Sequence, residues 1–256
     1  MEICTLASGS SGNATLIRDG DTVVLVDAGL SGRGLAEAMQ QRGVEPHQVS
    51  AIWLTHEHGD HVRGAGAFAR RHRTPVYATA GTCQGAQRYL AGVAVRAIEP
   101  GSYRIGSLAV TAVPIPHDTV GPVCYRMDGA HGSVGVATDM GRLDPDVLAA
   151  LEGVSCLVWE SNHDSDMLWG GPYPSHLKQR ISGGRGHLPN DQAAEGLLEL
   201  SRGGLRHVLL AHLSETNNRP ILALAAAQTA IAGLNRPPSV QVAPRFGPSD
   251  WLIAEE

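Results

Sequence analysis

The chain has 256 residues, of which 43% are apolar and 18% charged, a balance that buries a large core and excludes an intrinsically disordered protein. Its formal net charge of −5 excludes attraction of the whole molecule to nucleic acid, so any such binding must rely on a local basic surface. One domain over residues 1–256 is expected.

In chain order, Met1 to Ile17 and Thr22 to Asp27 read as two β-runs joined by a turn at Asp19-Gly20-Asp21. The first begins directly after Met1, which leaves no room for a signal peptide, so a cytoplasmic location is expected. Leu35 to Gln41 has helical spacing, Ala51 to Thr55 is a short apolar strand, and Val62 to Arg71 is helix-like. Pro75 to Ala78 reads as strand and Thr82 to Ala91 as helix, followed by hairpins at Tyr103 to Pro116 and Val123 to Ala137. Pro145 to Leu151 is helical, Cys156 to Trp159 a buried strand, Ser182 to Gly186 a loop, and Asn190 a candidate N-cap for a helix over Gln192 to Leu200. Val208 to Ala211 is another buried strand, and Ile221 to Leu234 a buried Ala-rich helix too short to span a bilayer, so no membrane association is expected. Hairpins interspersed with helices predict a mixed α/β (α+β) fold in which two half-sheets, each covered outside by helices, form a four-layer αββα sandwich. Cys4, Cys83, Cys124 and Cys156 form no Cys-x-x-Cys pair and are expected to be buried free thiols.

The chemistry concentrates in Thr55-His56-Glu57-His58-Gly59-Asp60-His61. His56 and His58 lie two apart at a strand end, which predicts side chains on one face, and Asp60 and His61 open the next helix. A lone histidine is usually a satisfied structural residue, but this density after an apolar strand points to metal. Further ligands are expected where a polar residue ends a later strand: His117, Asp139 and His212. Taken singly, Asp139 could cap a turn and His117 could be a loop residue.

These motifs resemble the metallo-β-lactamase superfamily, and the resemblance spans nearly the whole chain. Ala7-Ser8-Gly9-Ser10-Ser11-Gly12-Asn13, Glu160-Ser161-Asn162-His163-Asp164, Gly186-His187-Leu188 and Ala211-His212-Leu213-Ser214 with Asn217-Asn218 are similar to the YycJ (WalJ) branch of exonucleases, related to RNase Z and RNase J. The resemblance implies an αββα metallo-β-lactamase sandwich holding two divalent ions, Zn2+ or Mn2+. His56, His58 and His117 would hold one ion, Asp60, His61 and His212 the other, and Asp139 would bridge them. Asp27 would order the ligand loop. Pro189 stands where that branch has serine, removing a hydroxyl and a backbone donor.

The implied activity is a binuclear phosphodiesterase, a DNA exonuclease of 5′-to-3′ direction, with nucleic acid as partner. A hydroxide bridging two ions roughly 3.5 to 4 Å apart would make the in-line attack, with Asp60 a catalytic residue as well as a ligand. Two divalent charges offset by Asp60, Asp139 and the hydroxide leave a net positive centre that suits a phosphodiester. His187 and His163 are the candidates for protonating the leaving group, and each could equally just hydrogen-bond the ligand shell. Trp169 and Tyr173 could stack on bases or simply pack. Two basic clusters, Arg70-Arg71-His72-Arg73 and Lys178, Arg180 and Arg185, could be local nucleic-acid surface or solvated helix faces. The ligands alone fit a small-molecule hydrolase of the same fold equally well, acting on a thioester, lactone or cyclic phosphodiester.

Overall fold

The computed structural model describes residues 1–254; residues 255–256 of the expected domain lie outside the described residues. The first half runs β1 (Glu2–Ala7), β2 (Ala14–Asp19), β3 (Thr22–Val26), α1 (Gly32–Gln40), β4 (Val49–Trp53), α2 (Gly59–Val62), α3 (Ala65–His72), β5 (Val76–Thr79), α4 (Ala80–Gly85), α5 (Gln87–Leu90) and β6 (Val95–Ile98). The second half runs β7 (Gly101–Ile105), β8 (Leu108–Pro114), β9 (Val123–Gly129), β10 (Gly132–Ala137), α6 (Pro145–Leu151), β11 (Cys156–Glu160), α7 (Ser165–Gly170), α8 (Ser175–Ser182), α9 (Asn190–Ser201), β12 (His207–Ala211), α10 (Pro220–Ile231), β13 (Ser239–Val242) and β14 (Leu252–Ile253).

Two mixed sheets result, ordered β14-β1-β2-β3-β4-β5-β6 and β13-β12-β11-β10-β9-β8-β7. In each, an antiparallel meander leads into parallel pairs, β3-β4-β5-β6 and β10-β11-β12-β13. Strand periodicity sorts the core. In β3, Val24 and Val26 face the opposite sheet while Val23 and Leu25 face the helices; in β11, Cys156 and Val158 face inward while Leu157 and Trp159 meet α6, α9 and α10. Three apolar layers thus separate four structural layers, the expected αββα sandwich.

Several expected boundaries move. The run Met1 to Ile17 is two strands, because Ser8 to Asn13 turns back on itself with Gly9 at φ 120° and the Gly12 N–H on the Gly9 carbonyl at 2.9 Å. Val62 to Arg71 is interrupted at Gly64, where any Cβ would strike the Leu30 carbonyl. Thr82 to Ala91 divides at Ala86. Asn190 is not the N-cap: Pro189 holds that position, and the buried Asn190 side chain instead bonds Ser161 and Asn218. In α10 only Ala223, Ala227 and Ile231 are buried and Ile221 is exposed, so that helix covers the core with one face only. Cys4, Cys124 and Cys156 are buried, but Cys83 is half-buried. Among the described residues no helix is long and apolar enough to cross a membrane.

Candidate metal centre

Strands of both sheets deliver polar residues to one edge: β3 runs into Asp27, β4 into Thr55 and His56, β10 into Asp139 and β12 into His212, while β11 ends on Glu160. His117 arrives from β8 through Ile115-Pro116. Asp27, Asp139 and His212 all sit in the left-handed region, at φ 60°, 63° and 55°. Such a backbone is disfavoured for residues with a Cβ and persists only where neighbours over-determine it. The neighbours are present: the Asp27 N–H donates to the Trp53 carbonyl at 2.9 Å, and the His212 N–H to Ser8 Oγ at 2.8 Å. β4 itself stops at Trp53, so His56 and His58 converge through the loop and the start of α2 rather than by strand alternation.

One nitrogen of each buried candidate ligand, His56, His61, His117 and His212, is committed away from the centre. Asp27 Oδ1 accepts the Thr55 N–H and Oδ2 accepts both the Thr55 hydroxyl, at 2.8 Å, and His61 Nδ1, at 2.7 Å. Because the Thr55 hydroxyl proton is spent on Asp27, its oxygen accepts from His56 Nδ1 at 3.0 Å. His117 Nδ1 donates to the Gly186 carbonyl at 3.1 Å and His212 Nδ1 to Glu160 at 3.2 Å. The Nε2 lone pairs of His56, His61, His117 and His212 therefore face inward, the arrangement that carboxylate and carbonyl partners impose on metal-binding imidazoles.

The inward atoms form small sets. His56, His58 and His117 make one and Asp60, His61 and His212 another, the atoms of each lying within 4.8 Å of one another. His58 Nδ1 is 3.1 Å from His56 Nε2 and 3.3 Å from His117 Nε2, close to the roughly 3.3 Å between two nitrogens each about 2.0 to 2.1 Å from one tetrahedral ion. Asp139 lies between the sets, with Oδ2 3.2 Å from His61 Nε2 and Oδ1 3.9 Å from His117 Nε2. Both Asp139 oxygens and His212 Nε2 are buried without a hydrogen-bond partner. Lone pairs aimed at lone pairs and an unsatisfied buried carboxylate are stable only around a cation, so the residues present fit divalent metal.

The electrostatics agree. Burial, reinforced by the charge of His61, holds the His56 imidazole well below its ordinary pKa, and burial does the same for His58, so both are neutral. Burial opposes the charge of Asp139, yet the surrounding imidazoles of His212, His61, His56 and His117 hold it well below the usual carboxylate range. His61 would be lowered by burial but is pushed up to about 9 by Asp139 and Asp27. The cluster thus demands positive charge.

The remaining expected residues separate. His187 lines the same cavity as Asp60, Asp139 and His212 and bonds Glu160 Oε1 through Nδ1 at 2.9 Å. His163 is buried behind it, makes a parallel bridge with Pro189, and is lowered by burial to about 4. Tyr173 lines the cavity; Trp169, on α7, is 54% exposed and does not. Arg180 reaches the cavity rim, while Arg70 and Arg71 lie on α3, behind the first sheet. Two groups were missed in the sequence. Glu160 accepts from Met140 N–H at 2.6 Å as well as from His187 and His212; its place at a strand end carries the same signal that singles out Asp139 and His212. Asn13 is clasped by Gly9 through both amide atoms, which turns its Nδ2 toward Asp60 Oδ2 at 3.3 Å and His61 Nε2 at 3.0 Å; nothing in its local pattern marks that role.

With this fold and centre, the match of residues 22–213 to the model of the β-lactamase superfamily domain places the chain: it belongs to that superfamily, a metallo-β-lactamase-fold hydrolase that uses divalent metal. Within it, the chain is 33% identical over 227 residues to the exodeoxyribonuclease YycJ of Bacillus anthracis, with 87% of this chain and 86% of that one covered. It is 34% identical over 219 residues to the exodeoxyribonuclease WalJ of Streptococcus pneumoniae, with 83% and 81% covered. Among solved structures, the metallo-β-lactamase fold protein YhfI of Bacillus subtilis superposes with a TM-score of 0.73 at 18% identity, over 97% of this chain and 98% of that one, a likeness of fold alone.

Proposed function

We propose that this chain, as one domain over residues 1–256, is a cytoplasmic two-metal phosphodiesterase that degrades DNA from an end in the 5′-to-3′ direction. The observation that carries the reading is the two ligand sets with Asp139 between them, beside a cavity lined by His187, whose Nδ1 is held by the buried Glu160. The activity of the two similar exodeoxyribonucleases, each aligned over most of its length, supports DNA as the substrate.

His56, His58 and His117 would hold one ion, Asp60, His61 and His212 the other, with Asp139 between them. Zinc and manganese both suit this mixture of imidazole and carboxylate. When bound, such ions supply Lewis acidity and bring the pKa of water towards about 7. The chain adds only the two carboxylate charges of Asp60 and Asp139 to the ligand shell, since its imidazoles bind neutral, which keeps the centre positive and attractive to a phosphodiester. Asn13 Nδ2 donates to Asp60 Oδ2 and steadies that carboxylate. His187, with Nδ1 tied to Glu160, keeps Nε2 for delivering a proton to the leaving oxygen. His163 does not line the cavity and is neutral at pH 7, so its place in this scheme is to pack behind the pair.

The test is to incubate metal-reconstituted protein with 5′- and 3′-labelled single- and double-stranded DNA and RNA, with the double variant Asp60→Ala/His61→Ala as control. Stepwise loss of the 5′ label from DNA, absent in the control, is the expected result. Hydrolysis of a small ester or cyclic phosphodiester with no strand cleaved would replace the nuclease reading by a small-molecule hydrolase.

A further inference from the structure

Helix α8 is unusual in burying no residue, although it carries Leu177 and Ile181. These lie one turn apart on one face, and Tyr173 stands just before the helix, ahead of its N-cap Pro174. All three line the metal-centre cavity, as do Ser10, Asn162 and Ser214. The helix is anchored at the centre: Arg180 Nε donates to Asp118 Oδ2 at 2.6 Å, and Asp118 Oδ1 is 3.4 Å from His117 Nε2. Its last turn is held by the His187 N–H on the Ile181 carbonyl at 2.9 Å, across Gly186, where any Cβ would strike that carbonyl. Tyr173 is oriented by its hydroxyl on Thr216 Oγ1 at 3.2 Å. An apolar and aromatic wall is thus fixed in register with the ligands and with His187.

We infer that Tyr173, Leu177 and Ile181 form a subsite for the unpaired base of the terminal nucleotide whose phosphodiester is cleaved. This rests on the nuclease reading and specifies its substrate as a strand end with an unstacked base. The cavity of about 360 Å³ is at the small end of the roughly 300 to 1,000 Å³ typical of ligand sites, which suits one nucleotide unit and not a base pair with both strands. The apolar and aromatic side chains offer a π-face and dispersion surface without hydrogen-bond readout, so the subsite accepts any base. In a duplex the terminal pair must first open, at a few kcal/mol, least for a mismatched or frayed end.

The experiment compares two single strands that differ only in the terminal residue, one an ordinary thymidine and the other an abasic tetrahydrofuran, with zinc- or manganese-loaded wild type and with Tyr173→Ala, Tyr173→Phe and Leu177→Ser. Wild type should release the base-bearing residue about 10- to 100-fold faster in kcat/KM, the range that loss of one stacked base produces. That ratio should fall towards one in Leu177→Ser and Tyr173→Ala and recover in Tyr173→Phe. These side chains are half exposed, and unchanged melting temperatures will show that the fold is retained. Equal rates on both strands in wild type, or an unchanged ratio in both Leu177→Ser and Tyr173→Ala, would overturn the subsite while leaving the nuclease standing. Failure of wild type to cleave either strand would remove the nuclease reading and the subsite together.

Discussion

Glu160 gathers four donors, the Met140 and Leu188 N–H groups and the Nδ1 atoms of His187 and His212, and so couples a candidate ligand to a candidate proton donor. Glu160→Gln keeps the shape but replaces an acceptor-only group by one that brings its own donors against imidazole N–H groups. Affinity for zinc is expected to fall about 10- to 100-fold, as for other lost partners of ligating histidines, measured by chelator competition; unchanged affinity would separate Glu160 from His212. His187→Ala, by contrast, should keep both ions, counted by metal analysis, and lose about 10²- to 10⁴-fold in turnover on DNA. Full activity in that variant would remove His187 as the acid. The gathering of His56, His58 and His61 at one site was legible because their density after a strand has no structural explanation. Asn13 was not, because its role depends on Gly9 turning its amide toward a residue 47 positions away.

Among the elements, the β2–β3 hairpin fastens the end of the sandwich remote from the metal centre. Asp19 is buried, and its carboxylate accepts from Ala130 N–H at 3.2 Å and His131 Nδ1 at 2.8 Å, both in the β9–β10 turn, while its carbonyl accepts the Ser107 hydroxyl of the β7–β8 turn at 3.0 Å. Burial alone would raise its pKa, but the His131 and Ala130 hydrogen bonds outweigh it and hold the carboxyl below its ordinary value. A folded-state pKa below the unfolded one stabilises the fold above the unfolded carboxylate value, about 3.9, and the contribution disappears as pH falls through the folded value. Asp19→Asn should therefore lose about 1 to 3 kcal/mol near pH 7, and the gap between wild type and variant should narrow only as pH falls below about 4 in urea melts of chelated protein. A gap independent of pH would show that the charge is not the source. The hairpin turn itself is readable from Asp19-Gly20-Asp21; its partners across the sandwich are not, since they lie more than 80 residues away.

For the molecule as a whole, the candidate ligands come from both sheets: His56, His58, Asp60 and His61 follow β4, whereas His117, Asp139 and His212 follow β8, β10 and β12. Metal bound by them would therefore join the halves and stabilise only the folded chain. At free metal about a thousandfold above its dissociation constant the gain is about 4 kcal/mol. For a chain of this size that corresponds to a melting temperature on the order of 10 °C higher, so chelation should lower it by that much. Asp60→Ala/His61→Ala should respond far less, and an equal drop in that variant would place the stabilising metal elsewhere. Beside the ligands the sheets also touch directly, through the Tyr125 hydroxyl on the Leu54 carbonyl at 2.7 Å and the Val123 N–H on the Thr55 carbonyl at 3.0 Å.

Local and periodic signals were enough to read the layered α/β architecture and the positions that gather at the strand ends, because alternation along a strand and polar residues at its close are properties of a few adjacent residues. Short pieces such as Leu252–Ile253 and Ser165–Gly170 escaped, having too few residues to show a period. Which histidine nitrogen faces inward, the orienting role of Glu160, and the placement of α8 beside His187 arise only when β4, β8, β10, β11 and β12 are brought to one edge. Hydrogen bonds of that kind join groups distant in the chain, and their geometry exists only once the two sheets have packed.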